Sequence, residues 1–223
     1  MRKDKSFSES FNDWVHFVNI RIEIFYMALN LLQVTEKTKE NEIEISKALC
    51  PKLRTACFIH KENPELPKPN AEINAVTDDE LLDESIGKKP DFSYSMVNPL
   101  ADSEKDYEIN LHIECKCIGY NRSPSWNLNM NYITDGINRF DYLSHKYGKG
   151  ANDGIMIGYI ISSTKYDIQE IINQKLPKNI EKLNFETRNK VENITTKFVR
   201  ENVEPFDFKI HHIWADYTIV DNL

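Results

Sequence analysis

The sequence predicts an α/β protein in which a mixed central sheet is flanked by helices and preceded by a long N-terminal helix. Apolar residues recur at spacings of three and four from residue 7 to 34, which is typical of an amphipathic helix. Residues 155–161 form a continuous apolar run, which is typical of a central strand covered on both faces. Residues 113–117 alternate between apolar and charged side chains, which indicates a strand with one face in the core.

Composition narrows the class of protein. Of the 223 residues, 40% are hydrophobic, so the chain can bury one substantial core, and we expect a single domain over residues 1–223. The four cysteines lie at positions 50, 57, 115 and 117, and their spacings are not those of paired CxxC zinc clusters, which favours reduced thiols. The first residues lack an apolar signal segment, so we expect a cytoplasmic protein.

Charge is distributed unevenly along the chain. The net charge of −7 argues against a simple basic DNA-binding protein. Residues 61–110 carry 13 acidic residues against 5 lysines, whereas residues 164–200 carry 8 basic residues against 5 acidic ones. The second stretch is compatible with a phosphate-facing surface, and ordinary solvated faces are the alternative.

The N-terminal third is predicted to be helical. In the first helix, 7–34, five polar or charged residues interrupt the apolar run from Trp14 to Leu32, so we expect a core helix and no membrane span. A polar break at 35–40 leads into a second helix over 41–58, which Pro51 is expected to kink or restart. Residues 59–89 are rich in proline and acidic residues, and we expect an irregular exposed insertion there.

Strands and helices alternate in the remainder. The predicted elements, in order, are a strand at 92–97, a hairpin connection across 98–106, a strand at 113–117, a loop at 119–126, a helix at 128–147, the buried strand at 155–161, a helix at 166–175, a polar segment to Arg200, and a last strand or hairpin at 206–220.

Glu114 and Lys116 occupy the same face of a predicted strand. Side chains alternate along a strand, so residues two apart project the same way and lie about 6 to 7 Å apart. Ile113, Cys115 and Cys117 share the opposite face and are apolar enough for the core. The strand therefore separates a core face from a face that carries a carboxylate and an ammonium.

Pro90-Asp91 followed by Glu114-x-Lys116 resembles the motif of the PD-(D/E)xK nuclease superfamily, which has the restriction-endonuclease-like fold. The resemblance covers roughly residues 41–162. It implies a helix before the motif strands and a helix plus a strand after them, and the predicted elements supply these. Residues 1–40 then form an N-terminal helical extension, 41–162 the catalytic core, and 163–223 a C-terminal helix and strand elaboration.

The second predicted helix offers a further acidic residue. At about 100° per residue, Glu42 falls within the apolar stripe of Ile45, Leu49 and Leu53, whereas Glu44 points the opposite way. PD-(D/E)xK proteins commonly place an acid on this helix, so the resemblance makes Glu42 a candidate for the metal site. The alternative is a first-turn carboxylate that complements the helix dipole.

The resemblance implies a nuclease that depends on Mg²⁺, or on Mn²⁺, and hydrolyses phosphodiester bonds, with DNA favoured and restriction or anti-phage defence as the setting. Asp91 and Glu114 are then the metal ligands, and the carbonyl of Cys115 is a further one. Lys116 is expected to orient the attacking water or to stabilise charge on the phosphate.

Three other residues are candidates for substrate contact. Arg139 and Tyr132 follow the motif in a predicted helix, and arginine binds phosphate in a bidentate manner; ordinary structural positions are the alternative. His112 shares the face of the motif, with a packed structural histidine as the alternative. His211 and His212 are neighbours in a predicted strand, so they face opposite ways and are not expected to chelate a metal jointly.

Two other functions stay open. A catalytically inactive nuclease-like binding or assembly module would use the long first helix and the acidic insertion to engage a protein partner. A small-molecule hydrolase has less support, because the sequence has no nucleophile elbow, phosphate-cradling glycine loop or HExxH motif. As partners we expect nucleic acid, foremost DNA, with a homodimer or a protein partner as further options and no membrane.

Overall fold

The computed structural model describes residues 7–39, 41–62, 64–75, 82–98, 101–104, 107–121, 123, 126–187 and 189–218. Their elements, in chain order, are α1 Phe7–Leu31, α2 Glu36–Lys39, α3 Glu42–Ile59, β1 Lys68–Pro69, β2 Phe92–Val97, β3 Glu108–Ile118, α4 Leu128–Thr134, a 3-10 helix Ile137–Phe140, β4 Asp153–Ile160, α5 Lys165–Lys175, β5 Val191–Val199 and β6 Asp207–Asp216.

The strands form one mixed sheet in the order β1-β2-β3-β4-β6-β5. β3, β4 and β6 run parallel to one another at its centre, while β1, β2 and β5 pair antiparallel with their neighbours. β4 is buried along its whole length, as its continuous apolar sequence predicts. The predicted α/β class, with a mixed sheet flanked by helices and a long N-terminal helix, is confirmed.

Helices cover both faces of the sheet and bury two apolar clusters. On one face α1 and α3 pack against the side of β3 that carries Cys115 and Cys117, which is the core face predicted from alternation. On the other face α4, the 3-10 helix and α5 pack over Met156 and Trp214. The face of β3 that carries Glu114 and Lys116 is therefore on the same side of the sheet as α4, the 3-10 helix and α5.

α1 is a core helix, as predicted. Its residues Ile24, Phe25, Ala28 and Leu29 are completely buried. The helix ends at Leu31, three residues earlier than the sequence pattern indicates. Among the described residues, no helix combines the length and the hydropathy that a membrane span needs.

α3 continues through Pro51 as one helix, so the expected restart at Pro51 was wrong. Pro51 removes one N–H donor, but it is exposed, so the carbonyl that loses its partner lies where water can replace it. The first turn is fixed by Asn41, whose side chain accepts a hydrogen bond from the N–H of Ile43 at 3.0 Å. This cap sets where Glu42 enters the helix.

The helix predicted over 128–147 is broken, and this changes the surroundings of the site. α4 ends at Thr134, and the chain continues as a 3-10 helix and a series of turns. Gly136 lies at the break, where a Cβ atom would lie 2.4 Å from the carbonyl oxygen of Tyr132 and 2.5 Å from Cε of Met156. The apolar residues after Gly136 keep helical spacing, which is why the sequence pattern did not show the break.

β5 was missed by the sequence analysis. It lies inside the segment interpreted as polar, at the edge of the sheet, where Thr196 and Phe198 face inward and Lys197 and Val199 are exposed. A half-exposed edge strand has little apolar signal. The acidic cluster at 78–80 in the predicted insertion lies outside the described residues.

Candidate functional site

β3 extends beyond the strand that pairs with it on one side. β2 begins at Phe92, which pairs with Ile113, whereas residues 114–118 of β3 pair only with β4 on the other side. The outer edge of β3 therefore has backbone N–H groups with no strand to accept from them. Buried backbone donors need acceptors, so another group has to replace the missing strand.

Two carboxylates take that place. Asp91 Oδ2 accepts a hydrogen bond from the N–H of Cys115 at 2.7 Å, and Glu42 Oε2 accepts from the N–H of Cys117 at 2.9 Å. Asp91 directly precedes β2, and Glu42 is the first residue of α3. The open edge of β3 thus brings acidic residues from three elements, including Glu114 of β3 itself, to one location.

Lys116 lies at the centre of these acidic residues. Its Nζ donates to Glu114 Oε1 at 2.7 Å, to Glu42 Oε1 at 3.2 Å and to the carbonyl of Cys115 at 2.8 Å. The lysine side chain is only 9% exposed. We call the group of Glu42, Asp91, Glu114, Lys116 and Arg139 the β3 site.

Glu114 has one oxygen with two cationic partners and one oxygen with none. Oε1 accepts from Lys116 and from Nη1 of Arg139, the latter at 2.5 Å, whereas Oε2 is buried and has no hydrogen-bond partner among the described residues. Burial raises the pKa of Glu114 to about 8, and Asp91 adds to the rise while Lys116 and Arg139 oppose it. Such an orphaned buried oxygen is rare in proteins and is costly unless something binds it.

The other charges respond to the same surroundings. Burial raises the pKa of Asp91, which Lys116 partly offsets. Burial opposes the positive charge on Lys116, but Glu114, Glu42 and Asp91 together raise the pKa of its ammonium above the usual value. Lys116 is therefore held protonated, which suits charge stabilisation better than proton abstraction.

The residues present fit a hard divalent cation in part. Asp91 and Glu114 offer carboxylates and Cys115 a carbonyl, and a cation would give the orphaned Oε2 of Glu114 a partner. Within the described residues, however, no group of three or more His, Cys, Asp and Glu side chains is arranged to hold a metal. Glu42 uses both oxygens already, on Lys116 and on Cys117, so a direct ligand role would require one of these bonds to break.

Arg139 reaches the β3 site from the 3-10 helix that follows α4. Its side chain is 27% exposed, so it connects the buried carboxylate of Glu114 with the protein surface. The break at Gly136 carries Arg139 out of the predicted helix.

Tyr132 does not reach the surface, which corrects its assignment as a substrate contact. Its ring is completely buried, and its hydroxyl is hydrogen-bonded to Nδ1 of His212 at 2.8 Å and to Nε1 of Trp214 at 3.0 Å. α4 turns this face toward the sheet. Tyr132 is therefore a core residue of a polar network below the site.

His112 is held as a structural residue would be. Its side chain is buried, and its Nδ1 accepts a hydrogen bond from the N–H of Gly148 at 2.9 Å. Burial lowers the pKa of His112 to about 4, so the ring is neutral near pH 7. These contacts favour the structural interpretation over a substrate contact.

His211 and His212 have separate partners, as their adjacent positions in a strand indicate. His211 is hydrogen-bonded to Asp153 at 2.8 Å and to Thr195 at 2.9 Å, whereas His212 lies between Tyr132 and Thr196.

Tyr147 lies next to the site and was not singled out by the sequence analysis. Burial raises its pKa, and the charge of Glu114 adds to the rise, which places the phenol near that carboxylate. The ring packs against His112 with centroids 5.2 Å apart. Its position in the turns after the 3-10 helix follows from the break at Gly136, which no local pattern revealed.

Comparisons with known proteins add no assignment. No family model matches the chain, and no curated protein and no solved structure matches it. Function is therefore inferred from the motif and from the contacts of the β3 site.

Proposed function

We propose that this protein is a divalent-metal-dependent nuclease of the PD-(D/E)xK type with a restriction-endonuclease-like fold. The observation that carries the proposal is the buried Oε2 of Glu114, which has no hydrogen-bond partner among the described residues although a second carboxylate and two cationic side chains surround it. A bound cation would give this oxygen a partner, which Lys116 and Arg139 do not, because both contact Oε1.

In this proposal Asp91, Glu114 and the carbonyl of Cys115 hold Mg²⁺ or Mn²⁺. When bound, the ion would act as a Lewis acid that lowers the pKa of a water molecule and neutralises charge on the scissile phosphate. Lys116, which the surrounding acids keep protonated, stabilises charge on the phosphate oxygens during the displacement. Arg139 binds a phosphate oxygen from the exposed side of the site.

Glu42 is a positioning residue in this arrangement. It fixes Lys116 through one carboxylate oxygen and the edge of β3 through the other. Because it joins α3 to the motif strand, the ammonium of Lys116 has a defined place relative to Glu114. This is a different role from the metal ligand that the resemblance implies, although both put Glu42 at the site.

DNA is the favoured substrate, and defence against foreign DNA is a role that the resemblance suggests. The chain carries a net charge of −7, so a polyanion is repelled unless local positive charge is provided. A divalent ion at Asp91 and Glu114 would provide this positive charge where the phosphodiester bond is cleaved. Both nucleic-acid binding and cleavage should therefore require the ion.

The test is a cleavage assay on the full chain with plasmid, linear duplex DNA, single-stranded DNA and RNA in Mg²⁺, Mn²⁺ or EDTA. We expect cleavage in either metal, none in EDTA, and none with Glu114→Gln, which keeps the side-chain shape. Glu44→Gln is the matched control, because Glu44 is an exposed acid of α3 that pairs with Lys47 at 2.8 Å. Equal cleavage by Glu114→Gln and wild type would exclude the assignment.

The second candidate function is a catalytically inactive module that acts through a protein partner. It is supported by the two cationic contacts on Glu114 Oε1, since Lys116 and Arg139 already balance that carboxylate without a metal. Calorimetric titration with Mn²⁺ separates the two functions. Binding that is lost in Glu114→Gln selects the nuclease, and no binding by the wild type selects the module.

A further inference from the structure

The two cations on Glu114 are held very differently. Lys116 Nζ contacts oxygens of Glu114, Glu42 and Cys115, and its side chain is 9% exposed. The side chain of Arg139 donates to Glu114 alone among the described residues, and it is 27% exposed. Arg139 is therefore the cation that can leave Glu114 without giving up other partners.

The guanidinium of Arg139 also has unused capacity. An arginine carries five N–H donors in a planar fork, and only Nη1 is engaged within the described part of the chain. The fork matches the spacing of phosphate oxygens. Its partial exposure means that a polyanion at the surface can reach the same group that now neutralises Glu114.

From these contacts we infer that Arg139 is an exchangeable counter-cation: a divalent ion at Asp91 and Glu114 releases Arg139, and the freed guanidinium then binds a phosphate group of the nucleic acid. This inference rests on the proposed metal-dependent function. It adds an order of events, in which the metal precedes the substrate. It also assigns Arg139 two successive anionic partners, Glu114 and then phosphate.

The charge balance gives the exchange a direction. Without the ion, Arg139 is paired with Glu114, so its charge is already balanced when a polyanion approaches the acids of the β3 site. A divalent ion brings two positive charges where Arg139 supplied one, which leaves the guanidinium available. The protein thus binds nucleic acid well only when it is loaded with metal.

Arginine-specific labelling tests the exchange without measuring cleavage. The full chain is treated with phenylglyoxal in EDTA or Mn²⁺, and labelling of each arginine is quantified by mass spectrometry. We expect Mn²⁺ to raise the labelling rate of Arg139 about fivefold or more, as a coupling of typical size would do. A short duplex with phosphorothioate linkages, which resist hydrolysis, should then protect it. Arg54, exposed on α3, is the internal control and should label equally in all conditions.

One variant and a binding measurement make the outcome decisive. In Glu114→Gln the guanidinium loses its anionic partner, so Arg139 should label rapidly in EDTA and show no response to Mn²⁺. If wild-type protein binds Mn²⁺ through Glu114 by calorimetry but the labelling of Arg139 does not change, the exchange is overturned while the proposed function stands. If Glu114→Gln binds Mn²⁺ as tightly as wild type, or the wild type binds none, the proposed function and the exchange both fail.

Discussion

At the scale of single residues, the β3 site depends on one ammonium among several carboxylates. Lys116 contacts Glu114, Glu42 and the carbonyl of Cys115, and these acids raise its pKa. Its ammonium therefore stays protonated near neutral pH. A permanent cation beside a phosphate acts by stabilising negative charge.

Replacing Lys116 should therefore remove a transition-state interaction and leave substrate choice unchanged. We expect Lys116→Met to lower the cleavage rate at saturating Mg²⁺ by about 10²- to 10³-fold, as loss of one charge-stabilising donor typically does. Lys47→Met, in an exposed lysine of α3, should retain the wild-type rate. The assay is plasmid nicking, with circular dichroism to confirm folding, and an undiminished rate in Lys116→Met would contradict the assigned role.

At the scale of elements, the site exists because β3 is longer than its antiparallel neighbour. Side chains of Asp91 and Glu42 replace the missing strand by accepting from the N–H groups of Cys115 and Cys117. The carboxylates that accept from these N–H groups also place negative charge at the open edge of β3. Asp91 therefore has a structural role as a hydrogen-bond acceptor and a proposed chemical role as a metal ligand. Substitutions can separate these two roles.

Asp91→Asn and Asp91→Ala should differ in stability but not in activity. The asparagine amide oxygen can still accept from the N–H of Cys115, whereas alanine leaves that buried donor unpaired. We expect Asp91→Ala to be less stable than Asp91→Asn by about 1–3 kcal/mol, measured by urea unfolding. Both should be inactive in the plasmid assay because neither carries a carboxylate. Wild-type activity in Asp91→Asn would show that Asp91 is only a backbone cap.

The sequence predicted those features of the site that depend on local geometry. Strand alternation placed Glu114 and Lys116 together, and helical phase turned Glu42 inward toward them. Tyr132 was assigned wrongly because the sequence pattern does not show which side of α4 packs on the sheet. The helical spacing after Gly136 concealed the break that follows α4. The start of β2 was predicted, but the open edge of β3 also depends on the register that pairs Phe92 with Ile113, and this register has no local signal.

At the scale of the whole molecule, several ionisable groups are buried in their neutral form. His112 and His212 have pKa values lowered by burial to about 4 and about 3, from an ordinary value of 6.5. Below pH 6.5 the unfolded chain binds protons that the folded chain excludes. Stability from these histidines is therefore lost as the pH falls from about 6.5 toward 4, by up to about 1.4 kcal/mol per pH unit for each group.

His112→Asn isolates one of these contributions. The asparagine Oδ1 can accept from the N–H of Gly148 as Nδ1 does now, but it does not titrate in this range. We expect the free energy of unfolding to fall less steeply between pH 6.5 and 4 in the variant than in wild type, as measured by urea unfolding at a series of pH values. Glu114, whose pKa is raised to about 8, contributes with the opposite sign in both proteins and cancels in the comparison. Parallel pH profiles would show that His112 is not buried in its neutral form.

The proposed function requires Asp91 and Glu114 to share a divalent ion. Anomalous diffraction from crystals soaked in Mn²⁺ measures this directly. We expect one strong peak between the two carboxylates, with Oε2 of Glu114 among the ligands and Arg139 moved off Oε1. Crystals with no peak there, in which Lys116 and Arg139 still hold Glu114, would contradict it.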